Sequence, residues 1–234
     1  MPKPSDIYGG KSPRELPLYS IPEAARIVRV PVATLRAWAL GRPYETARGS
    51  QEWPPLIHAA DPEGRRVSFA NLVELHVLSV LRGKKVRVER IRAATRFIRR
   101  EMKTAHPFAD VDTKTDCVDI YVEYLDRLLN VSTAQGVIRP LVERHLERID
   151  RDEEGLASRL FPFTREDGFD LRSVLIDPTR RFGRPVLAAA NIETAVIAER
   201  FFAGESTSEL ADDFGIEPTD VEEAVRFESQ LRAA

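Results

Sequence analysis

Thr34 and Arg36 lie two residues apart in Val32–Leu40, VATLRAWAL, where Val32, Leu35 and Trp38 recur at helical spacing and take the opposite face. The open side of such a helix offers a hydroxyl and a guanidinium. These groups hydrogen-bond to phosphate oxygens and, for arginine, to the base edge of guanine. Arg36 is therefore the candidate for a base or phosphate contact, and Thr34 for a phosphate contact. Arg42, Arg48, Arg65 and Arg66 follow in turn-rich sequence and add candidate backbone contacts. No comparable set supports catalysis. His58, His76, His106 and His145 are scattered, and no Cys or His falls at zinc-ligand spacing. There is no G-x-S-x-G, no P-loop and no G-x-G-x-x-G, so neither an enzyme nor a cofactor is expected. Asp110, Asp112, Asp116 and Asp119 have no partner acid or base and read as solvated turn residues. Cys117 has no evident activator.

The elements that would position Thr34 and Arg36 begin at Tyr19. In YSIPEAARIVRVPVATLRAWAL, Ser20 is a good N-cap, Pro22 suits the first turn, and Glu23 sits near the positive end of the helix dipole. Ile21, Ala24, Ala25, Ile27 and Val28 form one apolar face. Val30-Pro31 breaks this helix and starts the next, while the small Ala25 allows a close crossing. The pattern is that of a helix-turn-helix, whose second helix enters the major groove.

Charge supports a polyanion partner for this part of the chain. Residues 1–105 hold 20 Lys+Arg and 10 Asp+Glu, and residues 106–234 hold 15 and 27, so a net of -2 conceals +10 against -12. The 43% hydrophobic content is ordinary for a globular chain. No apolar run is long enough to span a bilayer, the N-terminus has no apolar leader, and a single cysteine excludes an internal disulfide; a reducing cytoplasm is the expected setting.

Residues 1–17 read as a loose arm whose Lys3, Lys11 and Arg14 either touch phosphate or simply keep the tail soluble. Residues 18–104 read as a winged helix-turn-helix, with strands at Leu56–His58 and Arg66–Val67 flanking the turn Asp61–Gly64. Ser68 caps a helix to Leu81 that is apolar on nearly every side, hence buried or shared with a second copy; His76 on it is a core histidine. A further helix over Val88–Lys103, after Gly83-Lys84-Lys85, carries Arg92, Arg96, Arg99 and Lys103 at i, i+4, i+7 and i+11, a stripe facing either solvent or phosphate. Residues 105–168 read as a small α/β region: strands at Phe108–Val111, Val118–Val122 and Leu125–Val131, a helix from Ser132 or Thr133 through Pro140 to Ile149, and an extended Leu156–Phe163 with exposed aromatics. Residues 169–234 read as two short strands and three helices near 192–202, 206–214 and 218–231. Ser206 and Glu209 have capping-box spacing. The last two helices are again helix-turn-helix-like, but Asp220, Glu222, Glu223 and Glu228 would repel phosphate and favour protein docking.

Tyr19-Ser20, Ala24-Ala25, Val32, Thr34-Leu35-Arg36 and Trp38 resemble the opening of MerR-like DNA-binding domains over about the first third of the chain. Arg29 stands where that family has a turn glycine, so it must tolerate positive φ or use another turn. Ile176, Pro178, Gly183, Pro185-Val186, Ile192, Gly204, Ser206, Glu209-Leu210, Val221 and Ala224 resemble a small antitoxin-like domain of unassigned function, with Ala189 and Ala190 departing from its glycine and small polar residue. Together the two ends resemble one group of VapB-type antitoxins. That resemblance implies an α+β, mostly helical fold, operator DNA and a PIN-like ribonuclease toxin as partners, and repression of a shared promoter. A homodimer is expected as well, because one small winged domain reads few base pairs. The alternatives are a MerR-like regulator sensing a small molecule through its middle region, and a purely structural adaptor.

Overall fold

Ser20 and Glu23 close the first helix reciprocally. In a computed structural model, which describes residues 8, 10–46, 49–81, 87–110, 123–124, 133–163 and 172–233, the Glu23 amide donates to Ser20 Oγ at 3.4 Å and the Ser20 amide donates to Glu23 Oε2 at 2.8 Å. The chain divides into two compact units, Met1–Ser158 and Arg159–Ala234, and is α+β with short two-stranded sheets.

In the first unit, β1 (Tyr19–Ser20) leads into α1 (Ile21–Ile27) and, after a tight turn, α2 (Val32–Leu40). Ile21, Ala24, Ala25, Leu35 and Trp38 are buried, as their spacing requires. Arg29 adopts φ 55°, so the chain keeps the left-handed turn without the glycine. A Cβ in that region costs energy that glycine avoids. Arg29→Gly is therefore expected to be more stable than Arg29→Ala by about 1 kcal/mol, a comparison that removes whatever the arginine side chain itself contributes. Equal thermal melts of the two variants would show that the turn relaxes.

The hairpin after α2 is not where the sequence suggests. It is formed by β2 (Arg42–Thr46) and β3 (Gly49–Trp53), antiparallel with Tyr44 opposite Gln51 and Arg42 opposite Trp53. Tyr44 Oη donates to Gln51 Oε1 at 2.7 Å, and the Tyr44 and Trp53 rings lie 5.0 Å apart. Gly41 permits the sharp departure: its φ is 78°, and a Cβ there would stand 2.6 Å from the Trp53 carbonyl oxygen. Leu56–His58 is not a strand. Leu56 and Ile57 are both buried, and both amides donate to the Trp38 carbonyl, at 2.7 and 3.2 Å. Two successive buried side chains rule out the one-sided burial of a solvent-facing hairpin. Asn71 pins the segment further, donating to the His58 carbonyl and accepting from the Ala60 amide. Arg66–Val67 is a strand, β4, but it pairs with β1; the Asp61–Gly64 turn precedes it, closed by the Gly64 amide on Asp61 Oδ1.

Ser68 and Asn71 form a second capping box at the start of α3 (Phe69–Ser79). Every α3 residue from Phe69 to Leu78 is buried within the single chain, so this helix has no face left for a second copy. α4 (Val88–Met102) ends at Lys103, which takes φ 52°. The segment read as a strand at Phe108 is instead a short helix, α5 (Pro107–Asp110), whose first carbonyl, that of His106, accepts from the Ala109 and Asp110 amides. The presumed loose arm is fastened from Pro13 onward: Arg14 donates to Asp110 Oδ1 at 2.8 Å and is not free for phosphate.

Glu74 organises the interior of this unit. It is fully buried on α3, 2.8 Å from His106 Nδ1 and 3.2 Å from Arg99 Nη2. His106 Nε2 lies 3.4 Å from Glu15. Burial pulls the His106 pKa down, but the two carboxylates outweigh it and hold the pKa at about 10. His76 is a core histidine, as expected. Its Nε2 is 3.2 Å from the His145 carbonyl oxygen, and burial drives its pKa well below the usual value. Burial likewise lowers His145 to about 4.

α6 (Thr133–Leu146) is the expected middle helix, but it stops before Ile149, which opens β5 (Ile149–Arg151); β5 pairs with β6 (Ala157–Leu160). The expected strands at 118–122 and 125–131, the turn 113–116, Asp112, Asp116, Asp119, Cys117, Lys3, Gly83-Lys84-Lys85 and the expected boundary at 164–170 lie outside the described residues.

The second unit contains β7 (Val174–Leu175) antiparallel to β8 (Val186–Leu187), then α7 (Thr194–Phe202), α8 (Thr207–Phe214) and α9 (Pro218–Ala233). Ser206 and Glu209 form the capping box that their spacing indicates. Leu187, Ile197, Leu210, Ala211, Val221 and Ala224 make its core, and Phe227 packs on Val174. Phe161 is not exposed: it is buried against Leu175 and Val186.

Candidate nucleic-acid interface

α2 turns Leu35 and Trp38 into the core and leaves Arg36 in solvent, with Thr34 half-buried beside it. Arg42, the first residue of β2, is exposed one turn further on. Thr34, Arg36 and Arg42 line one groove of about 530 Å³, walled by Ala33, Ala37 and Trp38 on α2, by Trp53 on β3, and by Val88, Glu89 and Arg92 on α4. Three of the six proposed contacts thus converge. Arg65 ends the separate turn before β4 and Arg66 opens β4; both are exposed, and Arg66 donates to the Leu18 carbonyl at 3.2 Å. Arg48, between β2 and β3, lies outside the described residues.

The sequence does not place Arg92 beside α2. It is one of four cations in a stripe, and the fold separates them. Arg92 is 7% exposed, with its guanidinium carbon 5.3 Å from the Trp53 ring centre. Arg99 turns inward to Glu74, whereas Arg96 stays exposed. A stripe that the sequence leaves either solvated or phosphate-facing is thus neither as a whole.

The second unit has a different surface. Asp212, Asp213, Glu217 and Glu222 are exposed, and Arg200 is held between Glu205 and Asp213. Glu223 is buried and 3.4 Å from Arg226, so it leaves the expected acidic rim. Of the four phenylalanines on these helices, Phe227 is buried with Val174, Phe201 and Phe214 are partly buried against the Leu187 cluster, and Phe202 is 45% exposed. Among the described residues no helix is long and apolar enough to cross a membrane.

The first unit thus pairs a helix-turn-helix with a basic groove, and the second is a small helical unit with exposed carboxylates. Residues 17–95 match the family described as "Putative DNA-binding HTH domain", and residues 174–227 match "Protein of unknown function (DUF433)". The chain is similar to "Putative antitoxin VapB45" of Mycobacterium tuberculosis (strain ATCC 25618 / H37Rv): 28% identity over 90% of this chain and 93% of that protein. An uncharacterized protein of the same strain, Rv2308, is 25% identical over 94% of this chain and 93% of its own. Among solved structures, the crystal structure of Rv2018 from Mycobacterium tuberculosis matches with a TM-score of 0.67 and 26% identity, covering 90% of this chain and 98% of that one. The likeness to a VapB antitoxin, read from the two ends of the sequence, therefore holds over nine-tenths of the chain.

Proposed function

We propose that this protein is the antitoxin of a type II toxin–antitoxin pair. Its first unit binds operator DNA and represses the shared promoter, and its second unit neutralises a PIN-like ribonuclease toxin. The observation that carries the reading is the division of surfaces within one antitoxin-like chain: exposed Arg36 and Arg42 converge beside α2, while α8 and α9 present carboxylates. A ribonuclease exposes a basic substrate groove, and an acidic partner surface speeds encounter with it. The protein is a regulator rather than an enzyme in this reading.

Arg36→Ala is expected to weaken operator binding by ~1–3 kcal/mol and to relax preference at one position if Arg36 reads a base. Arg66→Ala should weaken all sequences alike and lower the salt slope by ~0.9, the signature of one phosphate. Mobility-shift titrations on operator and scrambled duplexes separate the two; unchanged binding in both variants removes the assignment.

The DNA-bound form is proposed to be a homodimer on a palindromic site, since two-fold symmetry doubles the bases read. With α3 buried inside the chain, the pairing surface lies elsewhere. Light scattering at micromolar concentration should give twice the 26.4 kDa chain mass, and a monomeric mass counts against the dimer.

A further inference from the structure

Arg92 is a buried cation with an unmet donor. Its Nε is shielded from solvent and has no hydrogen-bond partner, and the residue is 7% exposed on the wall of the groove beside α2. A buried donor of this kind normally finds a partner. The guanidinium carbon lies 5.3 Å from the Trp53 ring centre, and both residues line the groove, so a partner for the unmet donor is sought there.

That partner is an anion, on three grounds. Among the described residues, Arg36, Arg42 and Arg92 line the groove against a single carboxylate, Glu89. The first turn of α4, Val88 and Glu89, lines the same groove, and no side chain caps this fifteen-residue helix. Its free amides and positive dipole end favour negative charge. The planar fork of a guanidinium suits the bidentate recognition of a phosphate.

We infer that the groove between α2, β3 and the start of α4 seats a backbone phosphate of the bound duplex, gripped by Arg92. The inference rests on the DNA-binding reading of the first unit and extends its footprint to a residue outside the helix-turn-helix and its hairpin. The small side chains of Ala33, Ala37 and Gly41 along the groove let a nucleic-acid backbone approach α2 closely. A phosphate there positions the duplex and carries no sequence information, whereas Arg36 beside it is free to read a base.

The test is mobility shift by the full chain on operator and scrambled duplexes at several salt concentrations. Arg92→Gln is expected to lose about tenfold in affinity on both duplexes and to lower the salt slope by ~0.9. Arg92→Lys, which keeps the charge and loses the fork, should fall between. Because Arg92 is buried, thermal melts accompany these variants, and an exposed residue supplies a second arm. Glu89→Gln removes the carboxylate opposing the phosphate and should tighten both duplexes several-fold, whereas Glu101→Gln, at the far end of α4, should not.

A folded Arg92→Gln chain with unchanged affinity and slope overturns the proposal while leaving DNA binding by the unit intact. Equal behaviour of Glu89→Gln and Glu101→Gln also overturns it. So does inorganic phosphate changing tryptophan fluorescence in an Arg92-dependent way while duplex affinity ignores Arg92, since the site is then one for a free anion. Failure of the unmutated chain to bind either duplex at low salt rejects the DNA reading itself.

Discussion

A chain ending at Ser158 is expected to rescue no growth when co-expressed with the toxin, while still shifting operator duplex. The second unit begins at Arg159 and has its own core, in which Leu187, Ile197, Leu210, Val221 and Ala224 are buried together. The first unit holds α2, the hairpin and the Glu74 cluster, so everything proposed to touch DNA remains. Loss of neutralisation with retained DNA binding is the result that separates the two duties. Rescue equal to the full chain would move the toxin contact to residues before Arg159. A point variant refines the test. Phe202 is 45% exposed on α7 and is the most open of the helical phenylalanines, so Phe202→Asp should weaken neutralisation without lowering the melting temperature. If the carboxylates of α8 and α9 steer the encounter as proposed, salt should slow complex formation in the unmutated chain.

Glu74→Ala is expected to destabilise the first unit by roughly 3–5 kcal/mol, the range for removing one member of a buried ion pair. The loss leaves Arg99 and His106 without the buried carboxylate that lies 3.2 and 2.8 Å from them. The same cluster sets a pH dependence. His106 titrates at about 10 in the folded chain against 6.5 ordinarily, so between these values the native state holds a proton that the unfolded state has released. Its contribution is complete below pH 6.5 and is lost as pH rises toward about 10. His76 and His145 act in the opposite direction. Both are held neutral by burial, His145 down to about 4, so their contribution is complete above 6.5 and is lost as pH falls through the folded value. Stability of the unmutated chain should therefore peak near pH 6.5 and fall on both sides. His106→Gln should remove the alkaline fall, and denaturant midpoints across pH report both limbs. A stability curve flat from pH 7 to 10 would exclude the charged His106 cluster.

Much of this architecture was legible because it is local. The helix-turn-helix, the N-cap at Ser20, the capping box at Ser206, and the three C-terminal helices follow from interactions between residues three or four apart, which the sequence displays directly. The mostly apolar character of Phe69–Leu78 left burial or a shared interface open, and the structure shows burial within the chain. The left-handed turn at Arg29 was one of two open possibilities at the place where glycine is missing.

The misreadings share a cause. The strand assigned to Leu56–His58 rested on two adjacent apolar residues, and their burial comes from the Trp38 carbonyl and from Asn71, thirteen residues beyond His58. The true hairpin, Arg42–Trp53, is polar on most positions and carries no alternation to reveal it. Phe108 lies in a helix turn whose first amides bond to the His106 carbonyl.

The charged residues show the division most clearly. Sequence alone determined that the chain is basic at one end and acidic at the other, and that Arg36 lies opposite Leu35 and Trp38 on its helix, because composition and helical periodicity need no knowledge of neighbours. Only the tertiary structure decided what each cation of the α4 stripe does. Arg92 lies against Trp53, Arg99 reaches Glu74 across 25 residues of chain, and Arg96 remains in solvent. A guanidinium's role is set by the groups within about 4–6 Å of it, and for these arginines those groups come from distant segments that only folding brings together.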